Sequence, residues 1–346
     1  MLLHLLMLLK KLESNMNKKI VTFGEIMLRL TPPNYGIIED AHDFMATYGG
    51  TEANVAISLA QFGHYTSFVS KLPKNQLGEA AIKFLNANKV DTNFVQMKGD
   101  NIGIYFLETG FGIRPSKVLY NRKSSAMTTL KVEDINIDAL IKDAGWFHFS
   151  GITLSLSEDV RKTVLAVIKK AKQNGVFISF DSNYRKSLWP IEIAKKAYME
   201  VAPYIDLFFA TPFDAHNLFG IDETYEGSYA LKQLLEKTNA TYVFGYERNV
   251  YQANENELKA YVVKKDLVLQ TKPIRFQIYD RIGGGDAFAA GIIHSLIKTE
   301  HDNLEFVLDF GLSTSVLKHT LWGDAFKLSE LDVLNFMKNQ SKEVVR

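Results

Sequence analysis

Residues 280–288 read Asp280-Arg281-Ile282-Gly283-Gly284-Gly285-Asp286-Ala287-Phe288, and an apolar helical pattern continues through Ile293. Three successive glycines carry no Cβ, so the backbone there can approach a bulky anion closely. A helix that starts at this point aims unpaired N–H groups and its positive dipole end at that anion. Asp286, at the start of the helix, is either a plain N-terminal cap or a base placed beside a phosphate. The stretch is not a Walker-type loop, because no Gly-Lys-Ser/Thr follows. Nor is it the dinucleotide fingerprint, since it lies late in the chain and its glycine spacing differs.

Upstream, strand-like runs alternate with helix-like ones. Ile20–Gly24, Tyr65–Ser70, Trp146–Ser150, Val176–Asp181, Asp206–Ala210 and Thr241–Gly245 read as strands. Asn54–Phe62, Gly78–Asn88, Glu158–Asn174 and Ile191–Val201 read as helices, and a further helix is expected to start at Ala215–Phe219. Strands separated by helix-length segments predict an α/β fold with a mainly parallel sheet covered on both faces. Residues 27–48 and 101–122 break the alternation with short β-like pieces and turn residues. They predict a small β lid. Ligands of open α/β sheets bind at the carboxyl ends of the strands, so lid and site should face each other.

Composition sets the outer limits. Across 346 residues, 47% are hydrophobic and 23% charged, as in an ordinary globular chain, and the net charge of +1 suggests no nucleic-acid surface. The absence of cysteine excludes disulfides and thiolate metal sites and fits a cytoplasmic location. The apolar run Met1–Leu9 is shorter than the ~20 residues a membrane span needs. Its charges follow the apolar part rather than precede it, unlike a signal peptide. Residues 1–15 read as an upstream extension from a mis-assigned start, or as a short extra helix. Residues 16–335 read as one domain with the lid segments inserted, and 336–346 as a tail.

Four constellations carry polar chemistry. Gly49-Gly50-Thr51-Glu52-Ala53-Asn54 places two glycines before a helix. It makes a tight turn with a polar cap, or a set of N–H groups and an amide for a hydroxylated ligand. Asp181-Ser182-Asn183-Tyr184-Arg185 ends a strand, where Asp, Asn and Arg are costly to bury without partners and commonly line sites. Arg185 offers a planar fork for a carboxylate or phosphate, although a charged surface loop fits the same residues. Tyr105 and Tyr120-Asn121-Arg122 lie in the second lid segment, and strand alternation puts Tyr120 and Arg122 on one face. A solvated lid face reads the same way. The fourth is the opening stretch, with Lys318-His319-Thr320-Leu321-Trp322-Gly323-Asp324 downstream of it.

Taken together, these motifs resemble the ribokinase-like (PfkB-type) carbohydrate kinases over about residues 18–330. Gly49-Gly50-x-x-x-Asn54-x-Ala56 resembles the amino-terminal signature, and Asp280-x-x-Gly283-x-Gly285-Asp286 the carboxy-terminal one. Gly63, Lys71 and Gly78 fall where the next pattern is expected. Within the family, Glu25-x-x-Leu28-Arg29-Leu30, Asp181-x-Asn183-Tyr184-Arg185-x-x-Leu188-Trp189 and Lys318-His319-Thr320-x-x-Gly323-Asp324 are most similar to the 2-keto-3-deoxygluconate kinases.

The resemblance implies a three-layer αβα sandwich with a small β lid, and transfer of phosphate from ATP to the primary 6-hydroxyl of that sugar acid. Asp286 would be the base, with Gly283, Gly284 and Gly285 around the moving phosphoryl group. Gly49, Gly50, Asn54, Tyr105, Tyr120, Arg122 and Arg185 would bind the sugar. Asn183, Thr211, Gly245, Asp280, Gly283, Gly285 and Lys318 would bind the nucleotide. Magnesium would accompany ATP, with Asp214 in an outer role, and a monovalent cation is left open. The same resemblance implies small-molecule partners, no nucleic acid, no membrane, and a homodimer through the lid or a higher homo-oligomer. A kinase for fructose, ribose or another sugar, or a non-catalytic sugar-binding relative, is the alternative.

Three departures from the pattern bear on the nucleotide side. Arg281 replaces a small residue or proline. Thr211-Pro212-Phe213-Asp214 stands for Asn-x-x-Glu. Gly245-Tyr246-Glu247-Arg248 keeps only the first glycine of Gly-x-x-Gly.

Overall fold

The computed structural model describes residues 18–265 and 267–339. The expectation for residues 1–15, and the end of the proposed tail from 340, lie outside the described residues. The strands in chain order are β1 (Lys19–Phe23), β2 (Met27–Thr31), β3 (Met45–Gly49), β4 (Thr66–Leu72), β5 (Val90–Asp91), β6 (Val95–Met97), β7 (Ile104–Glu108), β8 (Lys117–Asn121), β9 (Ala144–Ser150), β10 (Phe177–Asp181), β11 (Leu207–Phe209), β12 (Tyr242–Gln252), β13 (Glu255–Lys264), β14 (Leu267–Gln270) and β15 (Ile274–Gln277).

The main sheet runs β14-β13-β12-β11-β10-β9-β1-β4-β5, with β15 on β13 and β6 on β4. From β12 to β5 every pairing is parallel, while β13 pairs antiparallel with β12, β14 and β15. The central strands are apolar on both faces because helices cover both. Along β11, Phe208 enters the core beneath helices Glu158–Gln173, Ile191–Val201 and Ser228–Thr238. Its neighbours Leu207 and Phe209 enter the opposite core, beneath Thr51–Gln61, Gly284–Lys298 and Leu304–Lys318. That side-to-side alternation is what a strand's period of two requires.

The lid is a separate four-stranded sheet, β3-β2-β7-β8, built from both segments expected to form it. The β2–β7 pair is parallel and the two outer pairs are antiparallel. The lid is tied down at Arg29, which is only 1% exposed. Its guanidinium reaches Asp280 and Asp324, both at 2.7 Å. Tyr105, from β7, donates a second hydrogen bond to Asp324.

Three sequence expectations need correction. The helix expected to begin at Ala215 is already formed at Pro212–Asn217. Thr211 caps it, with Pro212 at the first helical position and Asp214 closing a capping box. The strand expected to end at Gly245 continues to Gln252, with Tyr246↔Ala260, Glu247↔Lys259 and Arg248↔Leu258 in register on β13. A nucleotide loop at Gly245–Arg248 is thus replaced by a β-ribbon. The last described helix, Glu330–Asn339, also runs across the domain boundary drawn at 335.

Candidate active site

The carboxyl ends of the parallel strands converge on one cavity of about 710 Å³. Glu25 follows β1, Asp181 ends β10, Ala210 and Thr211 follow β11, and Gly245 lies within β12; all line it. From the lid come Met27, Tyr105, Val118, Tyr120 and Arg122. The N-terminus of helix Gly284–Lys298 supplies Gly283, Gly284, Gly285 and Asp286.

Local backbone demands explain the glycines. Gly283 caps the helix in the left-handed region at φ +82°, and a Cβ there would overlap the Asp324 carbonyl. Only glycine adopts this conformation cheaply. A Cβ on Gly50 would overlap the Glu25 carbonyl, so the turn into helix Thr51–Gln61 is equally intolerant.

Asp286 is buried, and its Oδ2 accepts a hydrogen bond from Asn54 Nδ2 at 2.7 Å. Burial pushes its carboxyl up to about 7, Asn54 opposes that shift, and Asp324 and Glu52 add to it. A carboxylate near neutrality is suited to accept a proton at physiological pH. Asp181, across the cavity, is pushed up to about 8 by burial and then by Asp286. Arg185 lines the same cavity, and its charge lowers the pKa of Asp181, Asp214 and Asp286. Among the described residues it makes no ion pair of its own.

Arg122 is in a different position. It forms an ion pair with Glu25, both groups being buried, and its guanidinium lies 5.8 Å from the Tyr120 ring centroid. Tyr120 is also the cross-strand neighbour of Tyr105, with ring centroids 5.8 Å apart. Tyr105, Tyr120 and Arg122 thus form one wall; strand alternation predicts the shared face of Tyr120 and Arg122, and the β7–β8 pairing adds Tyr105.

The structure brings nearly all of the expected site residues to this cavity, Asn183, Arg185, Thr211 and Asp214 included. Gly49, Asp280 and Lys318 stand behind the wall instead. Gly49 is packed against the Asp324 carboxylate, where a Cβ would not fit. Asp280 is spent on Arg29 and on the N–H groups of Ile282 (3.1 Å) and Gly323 (3.0 Å). Lys318 is fully buried, with Nζ 3.3 Å from the Leu321 carbonyl and 3.5 Å from that of Asp280. Thr211 reaches the cavity, but its hydroxyl and N–H both donate to Asp214 Oδ2 at 2.8 Å. The sequence motifs contain Glu25, Glu52, Asp181 and Asp324 but assign them no role. Their spacing alone could not reveal one, because each acts through a partner distant in sequence.

Residues 17–327 match the family described as pfkB family carbohydrate kinase. The chain belongs to the pfkB family of carbohydrate kinases. This pfkB kinase fold is shared with a 2-dehydro-3-deoxygluconokinase from Thermotoga maritima. That structure is 37% identical, with a TM-score of 0.89 over 93% of this chain and 99% of the other. A 2-dehydro-3-deoxygalactonokinase from Haloferax volcanii is 32% identical over 313 residues, which is 89% of this chain and 93% of that one. A fructokinase from Xylella fastidiosa, solved with bound ATP, is 20% identical with a TM-score of 0.78 over 94% of this chain and 100% of that one; it shares the fold alone. No helix among the described residues of this pfkB family member is long and apolar enough to cross a membrane.

Proposed function

We propose that the chain transfers the γ-phosphoryl group of ATP to the primary 6-hydroxyl of 2-keto-3-deoxygluconate, giving 2-keto-3-deoxy-6-phosphogluconate and ADP. The observation that carries this reading is Arg185, a guanidinium without an ion-pair partner among the described residues, in the same cavity as the buried Asp286. A neutral sugar gives such a cation no counter-charge, whereas a sugar acid does. The names of the relatives from Thermotoga and Haloferax support a keto-deoxy sugar acid, and the match to the pfkB family of carbohydrate kinases supports phosphoryl transfer.

In this reading Asp286 takes the proton of the 6-hydroxyl as the oxygen attacks phosphorus, and ADP leaves in line. General-base assistance of this kind contributes roughly 10²–10⁴-fold in rate. The N–H groups at Gly283–Gly285 meet charge developing on the phosphoryl oxygens. Arg185 holds the sugar carboxylate. Arg122, kept in place by Glu25, joins Tyr105 and Tyr120 in closing over the sugar and excluding water. Magnesium, when bound, neutralises triphosphate charge, mainly through phosphate and water oxygens. Asp214 fits an outer role there, since one of its oxygens is already held by Thr211. We also propose a homodimer through the lid.

The test is ADP release measured across 2-keto-3-deoxygluconate, its C4 epimer, fructose and ribose. Asp286→Asn is expected to lower kcat by about 10²-fold or more with sugar binding retained. Wild-type kcat in that variant would remove Asp286 from the role of base. Arg185→Ala is expected to cost far more kcat/KM on the keto acid than on fructose, and equal losses would rule out the carboxylate contact.

A further inference from the structure

We propose that Arg248 and Arg281 form a guanidinium clamp on the phosphate tail of the donor, taking over the work of the loop that β12 replaces. The proposal rests on the kinase reading above and adds to it the residues that hold the donor.

Tyr246 and Arg248 lie two apart on β12 and are both half-buried on the cavity side, while Glu247 between them faces out. Tyr246 reaches the anion-favouring helix start, because a Cβ at Gly285 would meet its hydroxyl at 3.2 Å. The Arg248 guanidinium lies 5.7 Å from the Tyr246 ring centroid. One of its nitrogens is 3.1 Å from the Asn256 side-chain oxygen, once that amide is turned to accept. Arg281 lies two residues before Gly283 and lines the same cavity. Both arginines thus line the cavity that the three glycines line.

Neither arginine has a carboxylate partner among the described residues. Arg29, Arg114, Arg122 and Arg275 all do. The acid adjacent to Arg281 in sequence, Asp280, is already taken by Arg29. Arg281 feels the repulsion: burial first, and then the charge of Arg248, lower its pKa. The nearby His319 is pushed down to about 3 by burial and then by Arg248, so it stays neutral. Two like charges facing one cavity without a counter-ion repel, and a polyanion bound between them relieves that repulsion. Guanidinium forks match phosphate oxygens two at a time. The backbone N–H groups of a Gly-x-x-Gly loop are absent here because Gly245–Arg248 hydrogen-bonds to β13 instead.

The test uses the full chain and three probes: ADP, AMP and inorganic tripolyphosphate, followed by calorimetry and thermal shift. Tripolyphosphate is expected to raise the Tm of the wild type and to leave the Arg248→Gln/Arg281→Gln double variant unmoved. Each single Gln variant should weaken ADP binding about tenfold, the worth of one charge-assisted contact, with AMP binding unchanged. Arg281→Lys should recover part of the loss. The ligand-free Tm of Arg281→Gln should match or exceed that of the wild type, since a repulsion is removed; this separates loss of binding from loss of fold. Unaltered ADP and tripolyphosphate binding in the double variant would overturn the clamp. Tripolyphosphate binding that depends on the arginines, in a wild type that releases no ADP with any sugar, would keep the clamp and overturn the kinase reading.

Discussion

Asp286 is a carboxyl on which burial and a hydrogen bond compete. Burial favours its protonated form, while the Asn54 amide stabilises the ionised one and keeps its pKa near 7. The base works only when ionised, so kcat/KM should rise with pH through about 7 and fall away on the acid side. Asn54→Ala removes the only interaction between these two side chains that favours the anion. The Asp286 pKa must then go up, and the acid limb of the pH profile is expected to move to higher pH. The variant should lose most at pH 6.5 and recover part of that loss at pH 9. An unmoved limb in a kcat/KM profile would show that Asn54 only contacts sugar. Asp286 and Asn54 were legible in the sequence because each sits at the first turn of a helix that follows glycines. The pairing of Arg122 with Glu25 was not, because it exists only once the lid strand β8 has docked beside the end of β1. The sequence presents Arg122 as a second binding arginine, whereas the structure gives it a buried partner and leaves Arg185, like Arg248 and Arg281 in the same cavity, without a carboxylate partner among the described residues.

Among elements, the parallel strands were readable because a chain buried on both faces must be apolar at every position, as in Leu207–Phe209. Apolar spacing points to a start at Ala215, whereas the cap at Thr211 starts the short helix Pro212–Asn217 three residues earlier. Thr211-Pro212-x-Asp214 is itself a start signal, with proline at the first helical position and an acid at the third. The antiparallel ribbon of β12 and β13 was hidden for another reason: Tyr246-Glu247-Arg248 occupies a family position normally given to a loop. The cap at Thr211 makes a distinct prediction. Thr211→Ala should cost about 1 kcal/mol of stability, seen as a lower Tm, because the helix loses its N-cap. The KM for ATP should stay close to wild type, since the hydroxyl already donates to Asp214. A raised KM for ATP at unchanged Tm would place that hydroxyl on the nucleotide instead.

At the scale of the whole molecule, the existence of the lid could be read from its two turn-rich segments, but the parallel β2–β7 pairing that joins them could not. Arg29 and Tyr105 anchor the inner lid strands on Asp324, leaving β3 and β8 as the edges. Strand β8 is exposed at every residue, and its Leu119 is 58% exposed. Ile113, in the turn before it, is completely exposed. An edge of this kind offers unpaired backbone and apolar side chains to a second copy. The proposed lid-to-lid dimer therefore makes a prediction that couples assembly to the site. Leu119→Arg should convert the dimer to a monomer in light scattering. Leu119 sits between Val118 and Tyr120, both of which line the cavity, so losing the partner should also loosen that wall. The KM for the sugar acid should rise with dilution of the wild type and be high at every concentration in the variant. The KM for ATP should follow neither, because the residues placed at the donor end lie on β12 and the helix start rather than on β8. A wild type that is monomeric at assay concentration, or a variant that is still dimeric, would dismiss the lid as the interface.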